Sequence, residues 1–241
     1  MKAGLFGRGR LGSAIAARGG SDIVWALGRR DEPPPEVAVD VAIDASAGPA
    51  VLKHLDWALD HGVDLVIGAT GWSIPDLEER VDGAIGVVVA PNFSISVALY
   101  ARLTLILARF AAQDAVLDPY IVEHHHARKK DAPSGTARLL AGVVMNGCPR
   151  KTEWTLQGPG ELKEHQLSVS AIRAGHTYSS HIVGVDAPAE TLELHHASRS
   201  PMAYADGAWR VASWIQGRKG VFTMDQFCRE TLDPLFEEAR P

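Results

Sequence analysis

The chain has 241 residues, 46% of them hydrophobic and 22% charged, which gives ample material for a core and argues against disorder. Its net charge of −5 at pH 7 speaks against a nucleic-acid surface, and no apolar run is long enough to cross a bilayer. The start, MKAGLFGRGR, reads as strand and turn rather than signal peptide, and Cys148 and Cys228 form no metal or redox spacing, so a cytoplasmic protein with reduced, structural cysteines is expected.

Residues 3–7 read as a strand entering a helix at 9–19, and 21–28, 41–46, 63–70 and 85–91 are further short apolar strands. Helical stretches at 49–62 and 74–83 lie between them, the alternation of a parallel sheet covered on both faces. In the first of these helices Leu52, Leu55, Ala58 and Leu59 are expected on the buried face, with Lys53, Asp56 and Asp60 elsewhere. Gly7, Gly9 and Gly12 give the G-x-G-x-x-G spacing between the first strand and helix, with Arg8, Arg10 and Leu11 in the gaps. These glycines permit a tight turn, backbone approach to a pyrophosphate and close helix packing; the motif alone is weak, and its position strengthens it. The second strand ends at Leu27 and is followed by Gly28, Arg29 and Arg30 rather than by an acid. A carboxylate there would bind the adenine ribose and repel a phosphate, so NADPH is expected to bind at least as well as NADH, with Arg29 as the contact. The alternative is that these arginines are ordinary loop charges beside Asp31 and Glu32. Gly68, Ala69 and Thr70, and then Ala90, Pro91, Asn92 and Phe93, close two further strands at the carboxyl edge, where open α/β sheets bind ligands. Each is also an acceptable strand-ending turn.

From residue 94 the pattern changes. A long helical stretch, 94–113, leads to a strand at 118–126 and then to the most informative segment, EHHHARKKDAPSGTA at 123–137. Alternation along the strand sets His125 opposite His124 and His126, and Lys129 and Lys130 fall in the following loop. Ser134 is a good N-cap for the helix-compatible run 136–145, whose unpaired backbone N–H groups and peptide dipoles would attract an anion; Gly135 allows close approach. Proton donors and an anion site delivered together suit a small carboxylate substrate. A histidine run is also what a solvated strand edge or a zinc site would show, but no Cys is near and no His-Glu-x-x-His helix occurs, so no metal is expected. Strand-like runs at 152–157, 165–175, 179–187 and 190–198 follow, with few helices between them, which implies a mostly antiparallel or mixed sheet. A helix at 201–215 comes next, and the tail from Gly217 is expected back in the first lobe.

The segment 123–137 closely resembles the signature of the dihydrodipicolinate reductases, also called 4-hydroxy-tetrahydrodipicolinate reductases: a Glu, two histidines, a Lys and the string DAPSGTA in this order and spacing. Gly68 to Gly71, Ala90 to Phe93, Arg173 with Gly175, His181 and Asp206 to Ala208 resemble the family too, so the resemblance covers nearly the whole chain. There are departures: the glycine loop is one residue shorter than is common, Ala69 replaces a Thr, Ser179 and Ser180 precede His181, and Pro201 follows Ser200 where the family has a Ser-Arg pair. The resemblance implies a Rossmann-type parallel-sheet cofactor domain, residues 1–93 and 208–241, and an α+β substrate-binding and oligomerisation domain, 94–207, with hinges near 92–94 and 205–212 and a cleft between the lobes. It implies NAD(P)H-dependent reduction of 4-hydroxy-tetrahydrodipicolinate with loss of water, Lys129 as proton donor and His125 as acid/base partner. His126, Gly135 and Thr136 would bind the dicarboxylate substrate; Gly7 to Gly12, Arg29, Gly68 to Thr70 and Ala90 to Phe93 would bind NADPH or NADH. A homotetramer built through the substrate-domain sheets is also implied. The alternatives are a paralogue acting on another cyclic imine or amino acid carbonyl, and a non-catalytic NAD(P)-binding regulator, which would have little reason to keep His125, Lys129 and the anion-binding turn together.

Overall fold

The computed structural model describes residues 1–33 and 39–237, so the last four residues of the expected cofactor domain lie outside it. The chain divides into two compact units, Met1–Ile95 with Pro201–Pro241, and Ser96–Ser200.

The first unit opens with β1 (Ala3–Phe6), α1 (Arg10–Gly19), β2 (Ile23–Leu27), β3 (Val41–Asp44), α2 (Val51–His61), β4 (Asp64–Ile67), α3 (Leu77–Val81) and β5 (Gly86–Val89). β1, β3 and β4 are buried along their whole length, as expected for parallel strands covered on both faces. Their register sets Leu5 beside Ile43, Ile43 beside Val66 and Val66 beside Val88. The buried face of α2 is turned from the expected one. Val51, Leu55, Trp57 and Ala58 face the core, whereas Leu52 is 42% exposed. Trp57 meets the rings of Phe6 and Trp25 edge-on, and that aromatic contact fixes the helix rotation.

The second unit contains most of α4 (Ile95–Ala111), then β6 (Asp118–His125), α5 (Gly135–Gly147), β7 (Glu153–Leu156), β8 (Gln166–Arg173), β9 (Ser179–Asp186) and β10 (Thr191–Ser198). The five strands run in the order β10-β9-β6-β8-β7. β6 is antiparallel to β9 and parallel to β8, so the sheet is mixed. Burial alternates along β6, which sends Ile121, Glu123 and His125 inward. Ile121 joins Leu140, Ala141 and Val144 of α5, Leu107 of α4, and Val169 and Val183 in one core.

The chain then returns through α6 (Met202–Ile215), β11 (Gly220–Thr223), α7 (Met224–Leu232) and α8 (Pro234–Glu237). The second crossing falls at Pro201, not in the expected 205–212, because α6 belongs to the first unit as a whole. Trp209 Nε1 donates to Ile15 O at 3.1 Å, and a Cβ on Gly207 would strike the Phe93 carbonyl, so the helix sits close enough to demand glycine there. β11 pairs in parallel with β5 and completes a six-stranded sheet ordered β11-β5-β4-β3-β1-β2. No helix among the described residues is long and apolar enough to cross a membrane. Cys148 and Cys228 are buried and unbridged.

Candidate active site

In the first unit a cavity of about 730 Å³ opens at the carboxyl ends of β1, β2 and β3, within the size range of small-molecule sites. Its lining includes Gly7, Arg8, Gly9, Arg29, Asp31 and His54. Gly7 has φ +102°, and a Cβ there would lie 2.5 Å from Ala45 O; one on Gly12 would collide with the Gly7 carbonyl. Gly9 precedes α1 without a capping side chain, so the first amides of that helix keep their anion-binding capacity. Glycine at 7 and 12 lets the turn close, and the exposed Gly9 leaves open space over its backbone, which fits a bound pyrophosphate. Arg10, Leu11 and Gly12 form the first turn of α1 and do not line the cavity.

Asp31 corrects the reading that β2 ends without an acid. Its Oδ2 accepts from the Gly28 N–H at 2.7 Å and lies 3.7 Å from Arg8 Nη1. A carboxylate therefore stands at the strand end, supplied by the turn after Gly28. Arg8 Nε donates to Ala26 O at 2.8 Å, so this arginine braces β2; Arg29 and Lys53 are further exposed cations of the lining, and Lys53 Nζ pairs with Glu32 at 2.6 Å.

A second polar group was missed by spacing arguments. Asp44 ends β3 fully buried, with Oδ2 2.7 Å from His54 Nδ1 and Oδ1 accepting from Ser46 N at 2.9 Å and Ser46 Oγ at 2.5 Å. The Phe6 ring stacks on His54 at 3.9 Å. This fixes the turn after β3 against which Gly7 is folded. The same Asp44 offers its carbonyl to Gly68 N at 2.8 Å and Ala69 N at 3.1 Å. Thr70 is exposed and Ala69 buried. Ala90 and Phe93 are buried as well, and a Cβ on Gly68 would strike the Phe93 ring, so Phe93 serves the core; Pro91 and Asn92 carry what exposure this segment has. None of Gly68 to Thr70 or Ala90 to Phe93 lines the 730 Å³ cavity.

In the second unit β6 delivers His124 and His125 to opposite faces, and the strand stops at His125, leaving His126 in the turn beyond it. Ser134 caps α5 by accepting from Ala137 N at 3.1 Å, and the helix starts at Gly135. Gly135 is exposed and a Cβ on it would touch nothing within 4 Å, so the helix start opens on free space. Thr136 is half-buried beside it. Lys129 Nζ donates to Asp131 Oδ1 at 2.8 Å, and this hydrogen bond lowers the Asp131 pKa.

Beneath this loop lies a buried cluster. Glu123, with no exposed surface, accepts from Ser134 N at 3.0 and 3.1 Å and from Arg173 Nη2 at 2.5 Å. Arg173 Nη2 also donates to Asp131 O at 2.7 Å, and Ser134 Oγ lies 3.1 Å from His181 Nε2. Burial alone would raise the Glu123 pKa, but the His181 imidazole 3.6 Å away and the hydrogen bonds from Ser134 and Arg173 outweigh it and hold the carboxyl well below the usual range. His125 Nδ1 stands 3.6 Å from Glu123 Oε2. Burial, opposed by Glu123 and reinforced by the positive side of His181, Lys129 and Arg173, brings its pKa down to about 4. His125 is thus uncharged at neutral pH. Glu123, His125 and His181 offer ligand atoms within 4.8 Å of one another, but the Arg173 guanidinium on the carboxylate opposes a second cation.

Comparison with known proteins places these geometries in a family. Residues 28–93 match the description "Dihydrodipicolinate reductase, N-terminus" and residues 96–228 match "Dihydrodipicolinate reductase, C-terminus". The chain is 36% identical over 183 residues to the 4-hydroxy-tetrahydrodipicolinate reductase of Syntrophus aciditrophicus (strain SB), covering 73% of this chain and 68% of that protein. It is 35% identical over 193 residues to the protein of the same name from Ralstonia nicotianae, covering 77% and 73%. Among solved structures, dipicolinate-bound dihydrodipicolinate reductase from Paenisporosarcina sp. TG-14 superposes with a TM-score of 0.70 over 92% of this chain and 97% of that one, at 22% identity, a likeness of fold.

Proposed function

This chain belongs to the dihydrodipicolinate reductase family, and from that premise we infer how its residues share the work of the reaction. It is an NAD(P)H-dependent oxidoreductase that converts 4-hydroxy-tetrahydrodipicolinate to tetrahydrodipicolinate with loss of water, in lysine and diaminopimelate biosynthesis. The observation that carries the assignment of roles is His125 at the end of β6, with His126 and Lys129 in the loop that follows, beside the Ser134-capped, open start of α5.

Gly7, Gly9 and the first amides of α1 would hold the cofactor pyrophosphate, and Arg29 and Asp31 would flank its adenine ribose. Once the 4-hydroxyl and a proton from the neighbouring ring carbon have left as water, giving a double bond conjugated with the ring imine, a bound nicotinamide would supply a hydride to carbon four. Density driven onto the ring nitrogen calls for a proton, and Lys129, held in reach of solvent by Asp131, is the donor. His125, uncharged at the end of β6, is the acid/base partner, while His126 and the amides and hydroxyl of Gly135 and Thr136 bind a substrate carboxylate. Arg29 would favour the phosphate of NADPH and Asp31 the free ribose of NADH, and because both line one cavity, both cofactors are accepted. A cytoplasmic homotetramer assembled through the second unit's sheet completes the reading; Leu156, Ile172 and Leu192 are large apolar side chains exposed on it. The test is to follow NADPH and NADH oxidation with enzymatically generated substrate. Oxidation that depends on the substrate is expected, and its absence with both cofactors overturns the reading.

A further inference from the structure

We propose that Glu123 is a positioning residue for the substrate site: its buried carboxylate ties the N-cap Ser134, Arg173 and His181 to the strand that carries His125, and so sets where the dicarboxylate is held.

The loop that leaves β6 must return to the start of α5, and Glu123 meets it 11 residues later at the Ser134 N–H. Two hydrogen bonds from that amide, at 3.0 and 3.1 Å, reach both carboxylate oxygens, so the group is held in plane against the cap. Arg173 of β8 donates from one nitrogen to Glu123 at 2.5 Å and to Asp131 O at 2.7 Å. The return segment is therefore gripped near both ends, at Asp131, which holds Lys129, and at Ser134, which orients the first turn of α5. A well-packed apolar residue would stabilise such a site as well as a buried ion pair does, so stability is a weak reason for this one. Registry is a better reason. Ser134 directly precedes Gly135, and Arg173 also holds the carbonyl of Asp131, the partner of Lys129; an apolar replacement would leave the Arg173 charge and the Ser134 amide unpaired. The carboxylate also stays ionised under His125, where its charge works against the burial that keeps that imidazole neutral.

The proposal rests on the reductase reading for its substrate, and the experiment separates the two. Binding of pyridine-2,6-dicarboxylate and of NADPH is measured by calorimetry on the full chain, together with substrate turnover and melting temperature, for wild type, Glu123→Gln and Leu107→Ala. Leu107 is a core residue of α4 that serves as a control for destabilisation alone. Glu123→Gln keeps the shape but loses charge-assisted bonds, so dicarboxylate affinity should fall about tenfold or more with NADPH affinity within about twofold. Leu107→Ala should lower the melting temperature and keep dicarboxylate affinity. Equal dicarboxylate affinity in Glu123→Gln and wild type overturns the proposal, as does an equal loss in Leu107→Ala. If Glu123→Gln does not fold, Arg173→Lys decides: severalfold weaker dicarboxylate binding supports the proposal and unchanged binding overturns it. A wild type that binds the dicarboxylate but oxidises neither cofactor overturns the reductase reading and leaves the positioning proposal to the affinities. A wild type that does not bind the dicarboxylate overturns both.

Discussion

In the glycine turn beside the cofactor pocket the deciding atoms are the ones left out: a Cβ on Gly7 or Gly12 would meet backbone, and the turn closes because glycine stands there. Around the signature loop the deciding atoms are side-chain ones, Glu123, Arg173, Ser134 and His181, nearly all buried and joined to one another. A site made by omission should be hurt by addition and one made by a charged network by deletion. Each kind of damage should stay within its own ligand.

Lys129→Ala is the largest test of that division. Loss of a positioned general acid should cut turnover by about a hundredfold or more while NADPH affinity holds. Unchanged turnover would remove Lys129 from the mechanism. Gly12→Ala inverts the experiment, since it adds a methyl against the Gly7 carbonyl. The strain should weaken NADPH about tenfold to a hundredfold and leave pyridine-2,6-dicarboxylate binding intact; calorimetry with both ligands reads it.

Acid should sharpen the contrast, because the second unit holds a buried imidazole, His125, with a strongly lowered pKa. The folded His125 value of about 4 lies below its ordinary 6.5, so the unfolded chain takes up that proton first. The stability it contributes is whole above pH 6.5 and is lost as pH falls to about 4, on the order of 1–3 kcal/mol. His125→Gln should flatten denaturant-derived stability across that window, and an unchanged slope would deny the shift. Glu123, whose pKa is also lowered, adds its own loss only below its ordinary 4.5.

Thr136→Val removes one hydroxyl donor at the start of α5. Dicarboxylate binding should weaken by about 1–3 kcal/mol, with NADPH untouched, and equal affinities would take Thr136 out of the anion site. The smallest effects belong to the rim of the pocket. Arg29→Ala should raise the Michaelis constant for NADPH a few-fold and spare NADH, fading as salt rises, because an exposed charge pair is worth about 1 kcal/mol or less. Asp31→Asn should do the reverse. Parallel changes for both cofactors would mean that these residues shape the loop instead of reading the ribose.

What the sequence made legible was local. The glycine spacing at 7, 9 and 12, the Ser134 cap three residues before Ala137 N, and the alternation that separates His124 from His125 all lie within a turn or a strand of one another. Partners that meet through the fold were not legible. Glu123 and Arg173 stand 50 residues apart, and His54 reaches Asp44 only because α2 lies across the end of β3. Asp31 was in plain view, but its return to Gly28 depends on a turn geometry that composition does not specify. The exposed Leu52 and the early re-entry at Pro201 fail for a similar reason, since aromatic packing on α2 and the close approach of Gly207 to Phe93 are tertiary events.

The placement of β11 has a consequence for how the molecule is made. β5 and β11 are hydrogen-bonded neighbours, yet the whole second unit is translated between them. At about 5–20 residues per second, a ribosome leaves the outer edge of β5 without its strand for roughly 7 to 26 seconds. Throughout that interval the nascent sheet presents a row of open backbone donors and acceptors, the kind of edge that recruits other chains. Premature termination before Gly220 would make that condition permanent. Ribosome pausing late in the message, rather than early, is therefore where yield of this enzyme would be most exposed to aggregation.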